Sequence, residues 1–390
     1  QALSADTLGS RSVAIGHAVL QSQNFTTATD AYNTAVGFSA GTAVTTGVQN
    51  TFIGGLSGDA NTTASRNVAV GHNAATANTT GADNVGVGDS ALAANTTASN
   101  NTALGSSALQ ANTTGTSNTG IGRAALNANT TASNNTAVGY YALVANTTGA
   151  GNTAVGTIAL DAITTSSNNT AVGHEALTNA TTGAGNTSLG KGSMTGVVTG
   201  SNNVAVGYAA MTANTTASNN VAVGVNALDT NTTGASNTAV GQSALDANTT
   251  ASFNTAVGRS ALAANTTAAN NTAVGYAALT ANTTGDNNVA VGALTLDANT
   301  TGVRNTAVGQ QSMGANTTGD YNVALGRDSL HKNTTADNNV AIGYAALYEN
   351  TTGAGNIAIG KNSLDANTTG GTNTGVGHYA LSGNTTAGFN

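Results

Sequence analysis

A chain of 390 residues would ordinarily fill two or three globular domains, but 50 Gly, no Pro, Cys or Trp and only 6% charged residues exclude ordinary globular cores. A net charge near −7 with nine Lys and Arg argues against a nucleic-acid partner, and no apolar run approaches membrane-spanning length. The absence of cysteine leaves the redox compartment open.

Such bias describes disorder unless it is phased. From Gly37 the glycine after an aliphatic residue returns at every seventeenth position to Gly377, giving 21 copies and, with an earlier one, 22 repeats. The earlier copy is "SVAIG", which ends at Gly16, four positions further from Gly37 than one repeat would put it. Residues 1–36 therefore read as an irregular N-terminal coil with a four-residue insertion, and residues 37–390 as continuous repeats. A helix–turn unit would not tolerate this density of Gly, Asn and Thr. A unit of this length cannot bury a face alone and must stack on its neighbours as a solenoid.

Within each unit the columns follow in order. Asn stands four residues before the glycine in 21 of 22 copies, as at Asn101, Asn118, Asn135 and Asn271. Stacked at about 4.8 Å, such side chains can hydrogen-bond along a structural ladder. Next come Thr, Val or Ile, then a small residue in every copy but Phe52, then Val, Ile or Leu, which predicts a short strand of period two. The glycine marks a corner. Four residues past it Leu or Met recurs in 19 copies, the exceptions being Gly41, Gly58 and Ala75. These aliphatic columns are expected to form the inward stack. "NTT", intact 17 times from Asn61 to Asn384, supplies a second corner and ladder. Twenty-two such coils would make a rod on the order of 100 Å long.

"RSVAIGHAVL", "NVAVGHNAA" and "NNVAIGYAAL" resemble the "NSVAIG" repeats of YadA-type trimeric autotransporter adhesin heads. The unit is also similar to "NTAVGYxAL…NTTG" repeats of bacterial and phage tail-fibre-like proteins. The resemblance covers nearly the whole chain and implies a left-handed parallel β-roll with three chains side by side. The adhesin repeat is shorter than the one in this chain, and the difference lies in the "ALxANTTG" half. The family's stalk heptads, membrane-anchor barrel and chaperone domain have no counterpart in these residues.

The small column between the two β-formers makes a face of little volume, suited to close lateral packing of a homo-oligomer. Alternatively, the alanines point into a narrow roll and the valines outward to neighbour chains. The variable position after the glycine holds His17, His72, His174 and His378, the cations Arg123, Lys191, Arg259 and Arg327, and the aromatics Tyr140, Tyr208, Tyr276 and Tyr344. These cations and tyrosines each recur in every fourth repeat, as candidate surface contacts or as the trace of a duplicated four-repeat block.

Catalysis finds little footing. The five histidines are far apart, the closest pair being His331 and His378. Acidic residues recur five after the glycine, at Asp161, Asp229, Asp246, Asp297 and Asp365, and read as solvated carboxylates. "GVGDSA" at 86–91 lacks the repetition of a calcium-binding roll. Asn-x-Thr at Asn61, Asn78, Asn95 and Asn112 allows glycosylation in a secretory pathway. Against obligate use, Val44, Ile163, Ala180 and Val197 replace that Asn elsewhere.

The expectation is thus an all-β parallel β-solenoid of about 22 coils, packed as a side-by-side homotrimer. It would be the rigid shaft or head of an extracellular, cell-surface or virion fibre, mediating display and adhesion by weak multivalent contacts with cell-surface glycans or proteins. No enzyme activity, cofactor, metal or membrane insertion is expected. The alternatives are a self-assembling extracellular filament without a receptor, its Asn-Thr-Thr turns open to glycosylation, and an ice-binding solenoid built on its Thr columns. Repeats that run to both ends call for capping by further segments or another molecule, and the lack of a leader points to a processed or partial chain.

Overall fold

The computed structural model describes all 390 residues as 24 short strands joined by turns, without a helix. They form two compact units, Gln1–Thr199 and Gly200–Asn390. Apart from the outlying Gly9–Ser10 and Thr29–Asp30, every strand is three residues long and ends just before the repeated glycine. Eleven such strands run from Val13–Ile15 to Thr187–Leu189 in the first unit, and eleven from Val204–Val206 to Thr374–Val376 in the second.

Neighbouring strands pair in parallel, in register with the sequence repeat. In the first unit Thr136, Ala137 and Val138 face Thr153, Ala154 and Val155; in the second Thr272, Ala273 and Val274 face Val289, Ala290 and Val291. Each residue lies beside its own counterpart one coil away, so the architecture is a parallel β-solenoid of about 22 coils. At the N-terminus Val13–Ile15 pairs with Thr34–Val36, and the longer coil between them contributes to a separate parallel pair, Gly9–Ser10 with Thr29–Asp30.

The glycine column turns each corner with φ between 126° and 142°, a region nearly closed to other residues. A Cβ at Gly139 would lie inside contact distance of the Gly156 carbonyl oxygen, so backbone meets backbone at this coil step. Three more positions per coil adopt positive φ, as at Tyr141 (56°), Leu143 (54°) and Gly151 (67°). The last of these columns is often Asn or Gly, including Asn134, Asn168 and Asn219, which tolerate that conformation. Leu143 does not tolerate it locally. Its complete burial, worth about 1.5–3 kcal/mol, offsets strain of about 1–2 kcal/mol.

The interior corrects the expected inward stack. The middle strand residue is the buried one, as at Ala137, Ala154 and Ala273, while the Thr or Val on either side is half-buried or exposed. Only the Leu/Met column of the aliphatic set points in, joined by a second Ala column such as Ala142 and Ala159. So short a coil is too narrow to hold branched strand residues opposite leucine. At Gly120, a Cβ would already approach Leu109 Cγ to 3.3 Å and the Ala125 carbonyl to 3.1 Å. Phe52 is the informative exception, 1% exposed in the small-residue column. A Cβ at Gly41 would come within 2.8 Å of its ring, and one at Gly58 closer still, so Phe52 fills the room of two missing leucines.

Candidate interaction surface

The two asparagine columns face inward and hold the coils together. Asn118 illustrates the first: its Oδ1 accepts from the Asn135 backbone N–H at 3.0 Å, its Nδ2 donates to the Ala132 carbonyl at 2.8 Å, and its own N–H donates to Asn101 Oδ1 at 3.0 Å. Asn101 and Asn135 repeat the pattern, with Nδ2 donating to the Gly115 and Gly149 carbonyls at 2.9 Å. Asn271 keeps the backbone link to Asn254 Oδ1 at 2.9 Å, but its Nδ2 has no partner. The Gly285 carbonyl that it would reach by analogy instead accepts from Asn282 and Asn288.

The Asn-Thr-Thr column forms a side-chain ladder. Asn78, Asn95 and Asn112 each donate one Nδ2 proton to the Oδ1 of the Asn one coil before, at 2.9–3.1 Å, and the other to a carbonyl three residues on. These three and Asn61 are buried. A glycan would need one of those protons and would have to pull the side chain out of the coil, so the folded chain is closed to attachment there. Where Ile163 replaces the next Asn, Asn146 Oδ1 is left buried without a donor. The paired threonines diverge, Thr62 donating its hydroxyl to the Thr79 carbonyl at 3.1 Å while Thr63 is exposed.

Outward, the column after the glycine carries the expected cations and aromatics, and several are engaged with the adjacent coil. The Arg123 guanidinium lies 5.9 Å from the Tyr140 ring centre and 6.0 Å from that of Tyr141. Lys361 Nζ lies 5.9 Å from the Tyr344 ring centre, and Arg327 pairs with Asp328 at 3.1 Å. Lys191, Arg259, Tyr208 and Tyr276 are exposed on the same column. Elsewhere Arg66 grips Asp83 through two hydrogen bonds of 2.6 and 2.8 Å, which lower the carboxyl below its usual range. Sequence reasoning misses the acceptors on another turn, where Ser99 and Asp286 take the backbone N–H of Ala82 and Ala269 one coil earlier. The recurrence of Ser and Asp in that column is the available signal.

The other outward surface is the strand face. In the first unit Ile53, Leu104, Val155 and Leu189 are exposed on it, Leu104 to 46%; in the second Val257, Val274, Val308 and Ile359 are exposed. With Thr or Val two residues earlier on most strands, the face is a regular, largely apolar ladder, the kind of continuous patch that marks an interaction surface.

Burial pushes the carboxyls of Asp161, Asp246 and Asp297 above their usual range, and the neighbouring Asp229 adds to the rise at Asp246. A raised folded-state value means the folded coil holds the proton more tightly, so stability is lost as pH rises through that value. Asp246→Asn is therefore expected to stabilise the fold at neutral pH by roughly a few tenths of a kcal/mol after solvent screening, seen as a higher melting temperature. The gain should vanish below about pH 4. Melts of the two proteins at both pH values check this, and an equal gain at both would show that charge is not the cause.

One concavity stands out on the turn face of the second unit, a cleft of about 370 Å³ lined by Tyr344, Tyr348, Glu349, Asn362, Asp365 and Asp328. Its rim is charge-paired: Lys332 holds Glu349 through two bonds of 2.8 Å, and Lys332 Nζ lies 5.5 Å from the Tyr348 ring centre. Asn362 donates to Asp365 Oδ2 at 2.9 Å, while Asp365 Oδ1 has no donor. Of its residues, the repeat pattern singles out only Tyr344 and Asp365. No protein-family model matches the sequence, and comparison with curated proteins gives no match.

Proposed function

We propose that the chain is a rigid structural solenoid of an extracellular fibre, on a cell surface or a virion, that assembles as a side-by-side homotrimer and mediates display and adhesion by many weak contacts. The observation that carries this reading is the ladder of exposed Val, Ile and Leu on the strand face, where a soluble lone chain would place polar residues. Packing this face against copies of itself buries equivalent rows without needing any large side chain to fit a pocket, because the register repeats with every coil. The resemblance to YadA-type adhesin heads supports three as the copy number and adhesion as the role. The outer column of exposed Tyr, Arg and Lys, several of them paired with one another, then presents repeated contacts.

Light scattering of the purified chain tests the assembly, with three times the chain mass expected. Val257→Lys together with Val274→Lys should release monomers whose far-UV circular dichroism is unchanged, since both side chains point away from the interior. A monomeric parent would sink the trimer, and open-ended polymers would favour a filament.

A further inference from the structure

We propose that the cleft beside Tyr344 is a carbohydrate subsite that takes a neutral sugar ring. This inference deepens the adhesive reading and rests on it for its role, while the binding itself is measured separately. Three features carry it. The first is shape: about 370 Å³ falls in the range of small-ligand sites and has room for on the order of one or two sugar rings. The second is the lining, with two phenol rings, Tyr344 and Tyr348, beside the Asn362 amide and the Asp365 carboxylate. Aromatic faces stack on the apolar C–H face of a pyranose, and carboxylates and amides accept and donate to its hydroxyls. Tyr348 is stiffened for that task by stacking on His331, with ring centres 5.2 Å apart.

Charge is the third feature, and it decides between a sugar and an amine. Three carboxylates would suit an ammonium ion, yet Asp328 is paired with Arg327 and Glu349 with Lys332. Lys361 beside the Tyr344 ring and Lys332 beside the Tyr348 ring already occupy the positions that a ligand cation would seek. What is left is one half-satisfied carboxylate, Asp365, whose Oδ1 is buried and lacks a donor while Oδ2 accepts from Asn362. A sugar hydroxyl supplies that donor after a small rotation of the carboxylate and adds no charge.

The sequence explains why the cleft is formed here. A cation, a Tyr one coil on and an Asp in the coil after that recur with the four-repeat period, as Arg123, Tyr140 and Asp161, then Lys191, Tyr208 and Asp229, then Arg259, Tyr276 and Asp297. In those copies Val144 and Ala145, Thr212 and Ala213, or Thr280 and Ala281 stand where the last copy has Tyr348 and Glu349. The larger pair builds the second wall.

The test uses the full chain with methyl glycosides of glucose, galactose, mannose and N-acetylglucosamine, and with spermidine as the cationic probe. Saturation-transfer NMR and calorimetry are expected to give millimolar binding of at least one glycoside, of order ~1 mM. Tyr344→Ala and Asp365→Ala should each weaken it at least tenfold, whereas Tyr344→Phe and the distant Arg66→Ala retain it. Tyr344 and Arg66 are exposed and Asp365 is half-buried, and circular dichroism of each variant verifies folding. Binding of none of the four glycosides, binding of spermidine alone, or glycoside binding indifferent to Tyr344→Ala would each overturn the assignment. Light scattering of the same samples separates the two readings: a trimer that binds no sugar sinks the cleft, and a sugar-binding monomer sinks the fibre.

Discussion

Asn118→Asp is expected to destabilise the coils around it by about 3–5 kcal/mol at neutral pH, and acid is expected to restore most of that loss. The change is nearly isosteric, so packing is not the cause. One carboxylate oxygen can still accept from the Asn135 N–H, but the other replaces a donor that bonds the Ala132 carbonyl at 2.8 Å, and oxygen then faces oxygen. Asn118 is fully buried, so the new charge has neither water nor a counter-ion. Its folded-state value must rise above that of an unfolded Asp, so the penalty is absent below the unfolded value and grows as pH rises above it. A protonated Asp can donate to Ala132 as the amide does. Denaturation and limited proteolysis at acidic and at neutral pH check the result, and a loss independent of pH would contradict it. Asn271→Asp is the internal comparison: with no Nδ2 partner to lose, it should suffer less, through burial of the charge alone.

The localisation of that damage is itself informative. In a solenoid each coil touches only its neighbours, so stability is a sum of coil terms and interface terms. A buried charge at Asn118 should open the coils nearest it while distant coils keep their protection. Proteolytic cuts would then cluster near that residue and not at the chain's termini.

Much of this arrangement is legible in the sequence, because a stacked repeat shows each structural requirement many times over. Gly139 and its counterparts mark the corner, and Asn118 and Asn95 mark two ladders. Alternation in Thr136-Ala137-Val138 reveals a strand with two faces but not which face is inside. Hydrophobicity favours burying Val138, and within one chain the structure reverses that: the opposing Leu column leaves space only for Ala137. The left-handed backbone at Leu143 is illegible because leucine is no signal for it, although Gly41 and Gly58 in the same column hint at it. At the cleft, Tyr344 follows a visible period, while Tyr348 and Glu349 occur once and stand out in no column. Singular residues are what a repeat-based reading overlooks.

Phe52 is such a residue, and Phe52→Ala is expected to lower stability by about 3–5 kcal/mol by leaving a cavity between the coils of Gly41 and Gly58. Filling that cavity from the other side should recover most of the loss. Gly41 and Gly58 have φ of 61° and 57°, close to the 54° of Leu92 in the same column, so leucine there would bear the strain of about 1–2 kcal/mol that its neighbours bear, offset as theirs is by burial. With Phe52 present, either leucine would collide with the ring and destabilise the fold. With Phe52→Ala in place, and with the Leu20 side chain, whose Cδ2 would lie 2.9 Å from a Cβ at Gly41, turned aside, Gly41→Leu and Gly58→Leu rebuild the Ala and Leu columns found in most other coils. The single changes and the combination should therefore be strongly non-additive, with a coupling on the order of 2–3 kcal/mol in chemical denaturation. Additive losses would mean that the ring and the two glycines do not share one space, and that the core tolerates phenylalanine for a reason other than volume.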